Sequence, residues 1–185
     1  MSEHTEIPET ELNEFKLLKD IEVVFDVGAR ADVDYLEILP NAEFHLFEPN
    51  PEFFQQLKER VGERKNVYLN NYGLGNVEGI FSYENGIQAF EQGEANFKGT
   101  DRSLPIKTLD WYIKEHNVKK IDFLKIDTEG YDYKVLLGGT EAIKICRYIQ
   151  YEHWNDRLQF HDLLNNDFWM KYIGGRNVLC KRQLM

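Results

Sequence analysis

The chain has 185 residues, with 22 Lys and Arg against 32 Asp and Glu, and a formal net charge of −10. One domain of this length buries a full core without disulfide or metal staples, and 42% hydrophobic with 14% aromatic residues excludes a disordered chain. The acidic surface repels phosphate backbones and anionic lipid, which counts against DNA, RNA or a membrane as partner.

Residues 1–20 read as a polar extension with a short amphipathic helix, since Leu12, Phe15 and Leu18 recur every three positions. Residues 21–185 read as a single domain. Ile21–Val27 is a nearly continuous apolar strand ending at Gly28, of the kind buried on both faces of a parallel sheet. A helical stretch through Tyr35, Leu36 and Leu39 stops at Pro40, and Glu43–Glu48 forms a second strand. Asn50-Pro51 starts a helix, with a side-chain acceptor at the cap and proline at the first helical position. Val67–Leu69 is a third strand, Gly79–Tyr83 a further candidate, and 84–103 a long loop. Thr108 caps a helix carrying Leu109, Tyr112 and Ile113, and Ile121–Asp127 is another buried strand. A helix around Tyr133–Leu137 stops at Gly138-Gly139. The strand Arg147–Glu152, a helix near 156–165 and a hairpin folded about Gly174-Gly175 complete the chain. Alternation of strand and helix means a mostly parallel α/β sheet with helices on both faces, closed by an antiparallel C-terminal hairpin.

No run of 18 apolar residues is present, so no membrane insertion is expected. The N-terminus is acidic where a signal peptide is basic, and the two cysteines, Cys146 and Cys180, show no metal spacing. Both features point to a reducing, cytoplasmic setting.

Ligands of such sheets sit beyond the carboxyl ends of the strands. Those ends carry Asp26 and Gly28, Glu48, Asn70-Asn71, Asp127 and Glu129, and Glu152-His153. Glu48 follows Gly28 by 20 residues, the spacing at which an acid accepts the ribose hydroxyls of an adenosine ligand. A dinucleotide would want G-x-G-x-x-G at the first turn, and Gly28–Val33 holds one glycine. An adenosine ligand without a phosphate fits better, which selects S-adenosylmethionine.

The stretches Val24–Ala29, Phe47–Pro51, Ile106–Asp110, Ile121–Gly130 and Tyr131–Gly139 resemble the FkbM family of S-adenosylmethionine-dependent methyltransferases. The resemblance spans about residues 21–153 and is most specific in the Lys125–Gly130 segment. It implies a class I, Rossmann-like methyltransferase domain and methyl transfer to a hydroxyl oxygen of a saccharide, glycan or related small molecule. It also implies that Asp26, Gly28 and neighbouring Ala29 line the methionine part of the cofactor. Glu48 and Pro49 would meet the ribose, Asn71 the adenine side, and Asp127 the sulfonium and substrate. Many members carry a second glycine after the first turn, where Arg30 and Asp32 stand here. Arg30 either pairs with the methionine carboxylate or is plain surface.

A sugar hydroxyl needs in-line placement and loss of its proton, and a positioned base contributes about 10²–10⁴-fold. His153 and Glu129, with Asp127, are the candidates, because they follow different strands at one edge of the sheet. The bland readings are a packed histidine beside Trp154 and a helix-start acid cluster at Asp127–Gly130. Asp127 and Glu129 could also hold Mg²⁺, but no dedicated metal motif is visible and no metal is expected. Trp154 is the aromatic to watch for sugar stacking, whereas Trp111, Trp169 and His45 read as packing residues. Two other readings compete: an NAD-type oxidoreductase, disfavoured by the single-glycine turn and the terminal hairpin, and a non-catalytic binding module, disfavoured by Asp26, Glu48, Asp127 and Glu129 occurring together. Acceptor choice falls to 84–103, 153–166 or a partner. A homodimer, or fusion to other glycan-processing domains, is compatible with the short chain.

Overall fold

A computed structural model of the chain describes residues 20–82, 103–154 and 157–183. The helix expected over 12–18 and nearly all of the 84–103 loop lie outside these residues. The described residues hold ten strands: β1 Val23–Val27, β2 Glu43–Phe47, β3 Val67–Asn70, β4 Gly73–Leu74, β5 Gly79–Ser82, β6 Ser103–Lys107, β7 Ile121–Ile126, β8 Cys146–Glu152, β9 Phe168–Gly174 and β10 Asn177–Arg182. The helices are α1 Tyr35–Ile38, α2 Pro51–Val61, α3 Leu109–Glu115, α4 Asp132–Leu137, α5 Thr140–Lys144 and α6 Arg157–Leu164.

Seven strands form one sheet in the order β3-β2-β1-β7-β8-β10-β9. The first five run parallel, and β10 and β9 add the antiparallel edge read from the sequence. A small second sheet, β4-β6-β5, stands apart from it. The chain winds outward from β1 to β3 and then returns to β7 on the other side of β1. The C-terminal ends of β1 and β7 are therefore the switch point, where such folds bind ligands.

The pleat divides the core into two layers, because successive side chains on a strand point to opposite faces. Phe25, Val27, Phe47, Leu124, Ile126, Ile149 and Tyr151 pack one face against apolar residues of α3, α4, α5 and α6. Val24, Phe44, Leu46, Phe123 and Tyr148 pack the other against Tyr35 and Leu36 of α1 and Leu57 and Val61 of α2. Local signals set the ends of the best-defined helices. The Asn50 side chain accepts from the amides of Glu52 and Phe53 with Pro51 at the first position, and Thr108 accepts from Trp111 N. Each such cap satisfies amides with no partner inside the helix.

Three elements go beyond the sequence expectation. Strand β6 contains Pro105 and still forms the middle of the small sheet, where its ring lies opposite Ile80. Strand β4 is only two residues long. Helix α5 restarts directly after Gly139, where the sequence reads as a stop followed by a strand. The Asp110 carboxylate at the start of α3 accepts from the amides of Glu141 and Ala142 at 2.9 Å each, so a side chain remote in sequence holds the first turn of α5.

His45 is buried in the first layer, with Nδ1 2.8 Å from the Tyr112 hydroxyl and Nε2 2.9 Å from Glu43. Burial lowers its pKa, as for a neutral core histidine. Cys146 and Cys180 are buried free thiols that burial pushes up, Cys180 to about 12. Among the described residues no helix is long and apolar enough to cross a membrane.

Candidate active site

A pocket opens at the switch point, where folds of this kind bind small molecules. Its wall takes residues from each strand end around the crossover. Val27 ends β1, with Gly28 and Arg30 after it; Phe47 ends β2, with Glu48, Pro49 and Asn50 after it; Asp127, Thr128, Glu129 and Tyr131 follow β7. Phe53 of α2, Gly73 and Leu74 of β4, and Leu104 and Ile106 of β6 close the apolar side.

Gly28 is fixed by sterics. Its φ is +90°, and a Cβ there would sit 2.0 Å from the Asp127 carbonyl oxygen. Only glycine allows β1 and β7 to end this close together. The amides of Gly28 and Ala29 both donate to the Phe47 carbonyl, at 2.9 and 3.1 Å, so the first turn is tied to β2.

Glu48 is 4% exposed, and its carboxylate accepts two backbone amides: Arg30 N on Oε2 at 3.0 Å and Asn50 N on Oε1 at 2.8 Å. Burial raises its pKa, while the two amides pull it back down. A carboxylate oxygen accepts more than one donor, so Glu48 keeps capacity for a ligand diol. Arg30 N is committed to Glu48, and Arg30 itself lies at φ +47° with its guanidinium 4.9 Å over the Phe53 ring. This turn offers no pyrophosphate cradle.

Three residues assigned to the cofactor by resemblance lie off the wall: Asp26, Asn71 and the buried Ala29, whose amide is taken by Phe47. Asp26 is fully buried between two donors: the Tyr35 hydroxyl donates to Oδ2, and Lys125 Nζ lies 3.3 Å from Oδ1. Burial raises its pKa against the pull of Lys125 and Tyr35. The pleat explains the displacement, since Val27, not Asp26, shares the face of Phe47 and Ile126. Asn71 is exposed and works on the backbone, its Nδ2 donating to the carbonyls of Glu48 at 2.9 Å and Pro49 at 3.3 Å. It thereby fixes the turn that carries Glu48.

Asp127 and Glu129 both stand in the wall. Lys125 Nζ lies 3.5 Å from Asp127 Oδ2, so one buried ammonium serves Asp26 and Asp127 together. Glu129 adopts φ +54° and Gly130 φ +97°. A non-glycine residue in that region is uncommon and clusters at functional sites. Asp132, also buried, spans the edge of the site. Its Oδ2 accepts the Thr128 amide and hydroxyl, and its Oδ1 accepts Glu152 N at 2.8 Å. Burial pushes this carboxyl up to about 7.

His153 is not among the wall residues. Its ring meets Tyr172 edge-on at 5.7 Å, and its amide donates to the Arg176 carbonyl. The structure therefore brings Asp127 and Glu129 together at the cavity and sets His153 against the hairpin. Trp154 is engaged as well: Nε1 donates to Glu152 Oε2 at 3.0 Å, and the Arg176 guanidinium lies 3.3 Å over its ring. The residues that sequence reasoning missed are Lys125, Tyr35 and Asp132. A lysine inside an otherwise apolar strand is a signal in its own right, because a buried charge requires a partner. Among the described residues there is no group of three or more His, Cys, Asp and Glu able to hold a metal ion.

The strand order, the switch-point cavity and the buried strand-end carboxylate define a class I methyltransferase fold. Comparison with known proteins makes this specific: the FkbM methyltransferase domain matches residues 26–176. The chain belongs to that family. It is 28% identical over 131 residues to the hexuronic acid methyltransferase AglP of Haloferax volcanii, covering 69% of this chain and 54% of that protein. It is 22% identical over 157 residues to the 2-O-methyltransferase NoeI of Sinorhizobium fredii, covering 74% and 65%. The chain thus spans between half and two thirds of these relatives' length. Among solved structures, a Streptococcus mutans protein in complex with SAH aligns over 96% of this chain and 99% of its own, with a TM-score of 0.58 at 10% identity. The cofactor is S-adenosylmethionine. The donor set fits it: a buried carboxylate with spare acceptor capacity for a ribose, apolar walls for a base, and a first turn with its amides already engaged.

Proposed function

We propose that this protein transfers the methyl group of S-adenosylmethionine to a hydroxyl oxygen of a saccharide, with residues 21–185 acting as one methyltransferase domain. The observation that carries the reading is the Glu48 carboxylate, oriented by two backbone amides in the wall of a cavity at the switch point. Glu48 holds the ribose hydroxyls, and Asn71 and Pro49 keep its turn in place. Phe47, Leu74, Leu104 and Ile106 supply an apolar slot for the adenine. Gly28 and Ala29 bring the backbone of the first turn close to the methionine part, with Arg30 flanking it. Asp26 acts from behind, through Lys125. Asp127 and Glu129 stand where the methyl donor meets the acceptor.

A saccharide acceptor is supported by the two relatives named for hexuronic acid and 2-O methylation, and by a charge of −10 that disfavours polyanions. When bound, the cofactor supplies an electrophilic methyl on a positively charged sulfur. The acidic residues around the β7 end give that charge a favourable field. The test is methyl transfer from radiolabelled S-adenosylmethionine to a panel of hexosides, hexuronides and oligosaccharides, run beside RNA and DNA. Incorporation into a hydroxyl of the carbohydrate panel is expected to exceed any into nucleic acid. Stronger labelling of RNA or DNA would overturn the reading.

A further inference from the structure

We infer that Glu152 is the catalytic base for the acceptor, meeting its hydroxyl on the sheet face that Glu152 shares with Asp127. The inference rests on the methyl-transfer reading above and deepens it.

Strands β7 and β8 run parallel, with Lys125 opposite Gln150 and Ile126 opposite Tyr151. One step further in the same register sets Asp127 opposite Glu152. Side chains alternate along a strand, so Lys125, Asp127, Gln150 and Glu152 share one face, while Tyr151 and His153 point to the other. Contacts agree on both sides: Lys125 Nζ reaches Asp127 Oδ2 at 3.5 Å, and His153 packs on Tyr172. The acid on the Asp127 face is Glu152, and the histidine next to it in sequence lies on the face of Tyr151, where neither ring nitrogen has a hydrogen-bond partner among the described residues.

Glu152, like His153, is not among the wall residues, but its backbone is linked to them by two hydrogen bonds. Its amide donates to Asp132 Oδ1, and Asp132 Oδ2 accepts the amide of Thr128, a wall residue. Its carboxylate is held at both oxygens. Trp154 Nε1 donates to Oε2, and Arg176 Nε lies 3.1 Å from Oε1. The side chain is 15% exposed, and each oxygen keeps a lone pair for another donor. Burial raises the Glu152 pKa, Arg176 opposes this, and the charge of Asp127 adds to it. A carboxyl raised in this way is a better proton acceptor than an ordinary one. One pleat back on the same face, Gln150 is 1% exposed, and its Oε1 has no hydrogen-bond partner among the described residues. That is a second buried acceptor on the face that carries Lys125 and Asp127.

In the transfer the acceptor oxygen forms the new C–O bond to the methyl carbon. The carbon–sulfur bond breaks with its electron pair left on sulfur, and the hydroxyl proton passes to Glu152.

The test uses the full chain with Glu152→Gln, which keeps an acceptor for Trp154 and cannot take the proton. Turnover on a methylated saccharide is expected to fall at least tenfold. The Kd for S-adenosylhomocysteine stays within about twofold and the thermal melt is little changed. His153→Ala keeps turnover within about threefold. A second arm does not depend on turnover: carboxyl ¹³C spectra of glutamate-labelled, S-adenosylhomocysteine-loaded protein, with Glu152 assigned by Glu152→Asp. The Glu152 resonance is expected to move when the saccharide is added. Glu152→Gln at more than half the wild-type turnover, or a resonance unmoved by a saccharide that the enzyme methylates, overturns the assignment alone. Wild-type protein that binds S-adenosylhomocysteine but methylates no hydroxyl compound overturns the function reading and the assignment with it. If Glu152→Gln fails to fold, the spectra decide.

Discussion

The ends of β2 and β8 each present a glutamate, and the two are held in different ways. Glu48 is gripped by the backbone amides of residues 30 and 50. Glu152 is gripped by the side chains of Trp154 and Arg176, while its own amide is taken by Asp132, 20 residues away. Backbone amides are present whatever the side chains, so the first arrangement suits a ligand part that is always the same. Side-chain partners can be exchanged by mutation, so the second suits a contact that is free to vary. The two ends are joined where Gly28 meets Asp127.

Breaking that junction has the largest expected effect. Gly28→Ala places a Cβ 2.0 Å from the Asp127 carbonyl at a φ of +90°. The loss should exceed about 3 kcal/mol or prevent folding. A melting temperature within a degree or two of wild type would show that the close approach is not required. Next comes Glu48→Ala, which should weaken S-adenosylhomocysteine by about 1–3 kcal/mol in titration calorimetry. Glu152→Ala should leave that affinity nearly unchanged, and equal losses from both variants would erase the distinction between the two ends.

A third test concerns the link between the wall and β8. Asp132 is buried, with its carboxyl raised from 3.8 to about 7. The folded protein therefore holds this proton to higher pH than the unfolded chain. Its contribution to stability is complete below about pH 4 and is lost as pH rises through about 7. Wild-type stability should fall relative to Asp132→Asn by on the order of 1 kcal/mol between pH 5 and 6. Parallel curves for the two proteins would contradict this. The smallest effect is a control outside both regions. Arg60 and Asp34 pair at 2.6 Å with both side chains 55% exposed, so Arg60→Ala should cost less than about 0.5 kcal/mol in urea melts.

The parallel sheet, its helices and the closing hairpin were legible because apolar runs and caps are local. The strand-end placement of Glu48 was legible for the same reason: strand, carboxylate and Asn50-Pro51 cap are contiguous. The end of β8 was harder, because adjacency in sequence is not adjacency on a pleated strand. Glu152-His153 reads as one unit, but the two side chains lie on opposite faces. Asp26 likewise looks like a wall residue until the register with Lys125 shows it facing away from Phe47 and Ile126. Strand β6 escaped notice because Pro105 argues against a central strand, and α5 because its first turn is held by Asp110, some 30 residues earlier.

The central claim is that the carboxyl ends of β1, β2 and β7 bind S-adenosylmethionine through Glu48. A crystal structure of the protein with S-adenosylhomocysteine tests it most directly. The account predicts both ribose hydroxyl oxygens about 3 Å from the Glu48 carboxylate, the adenine between Phe47, Leu74 and Ile106, and the sulfur beside Asp127. A nucleoside bound elsewhere, or a ribose with no contact to Glu48, would contradict it.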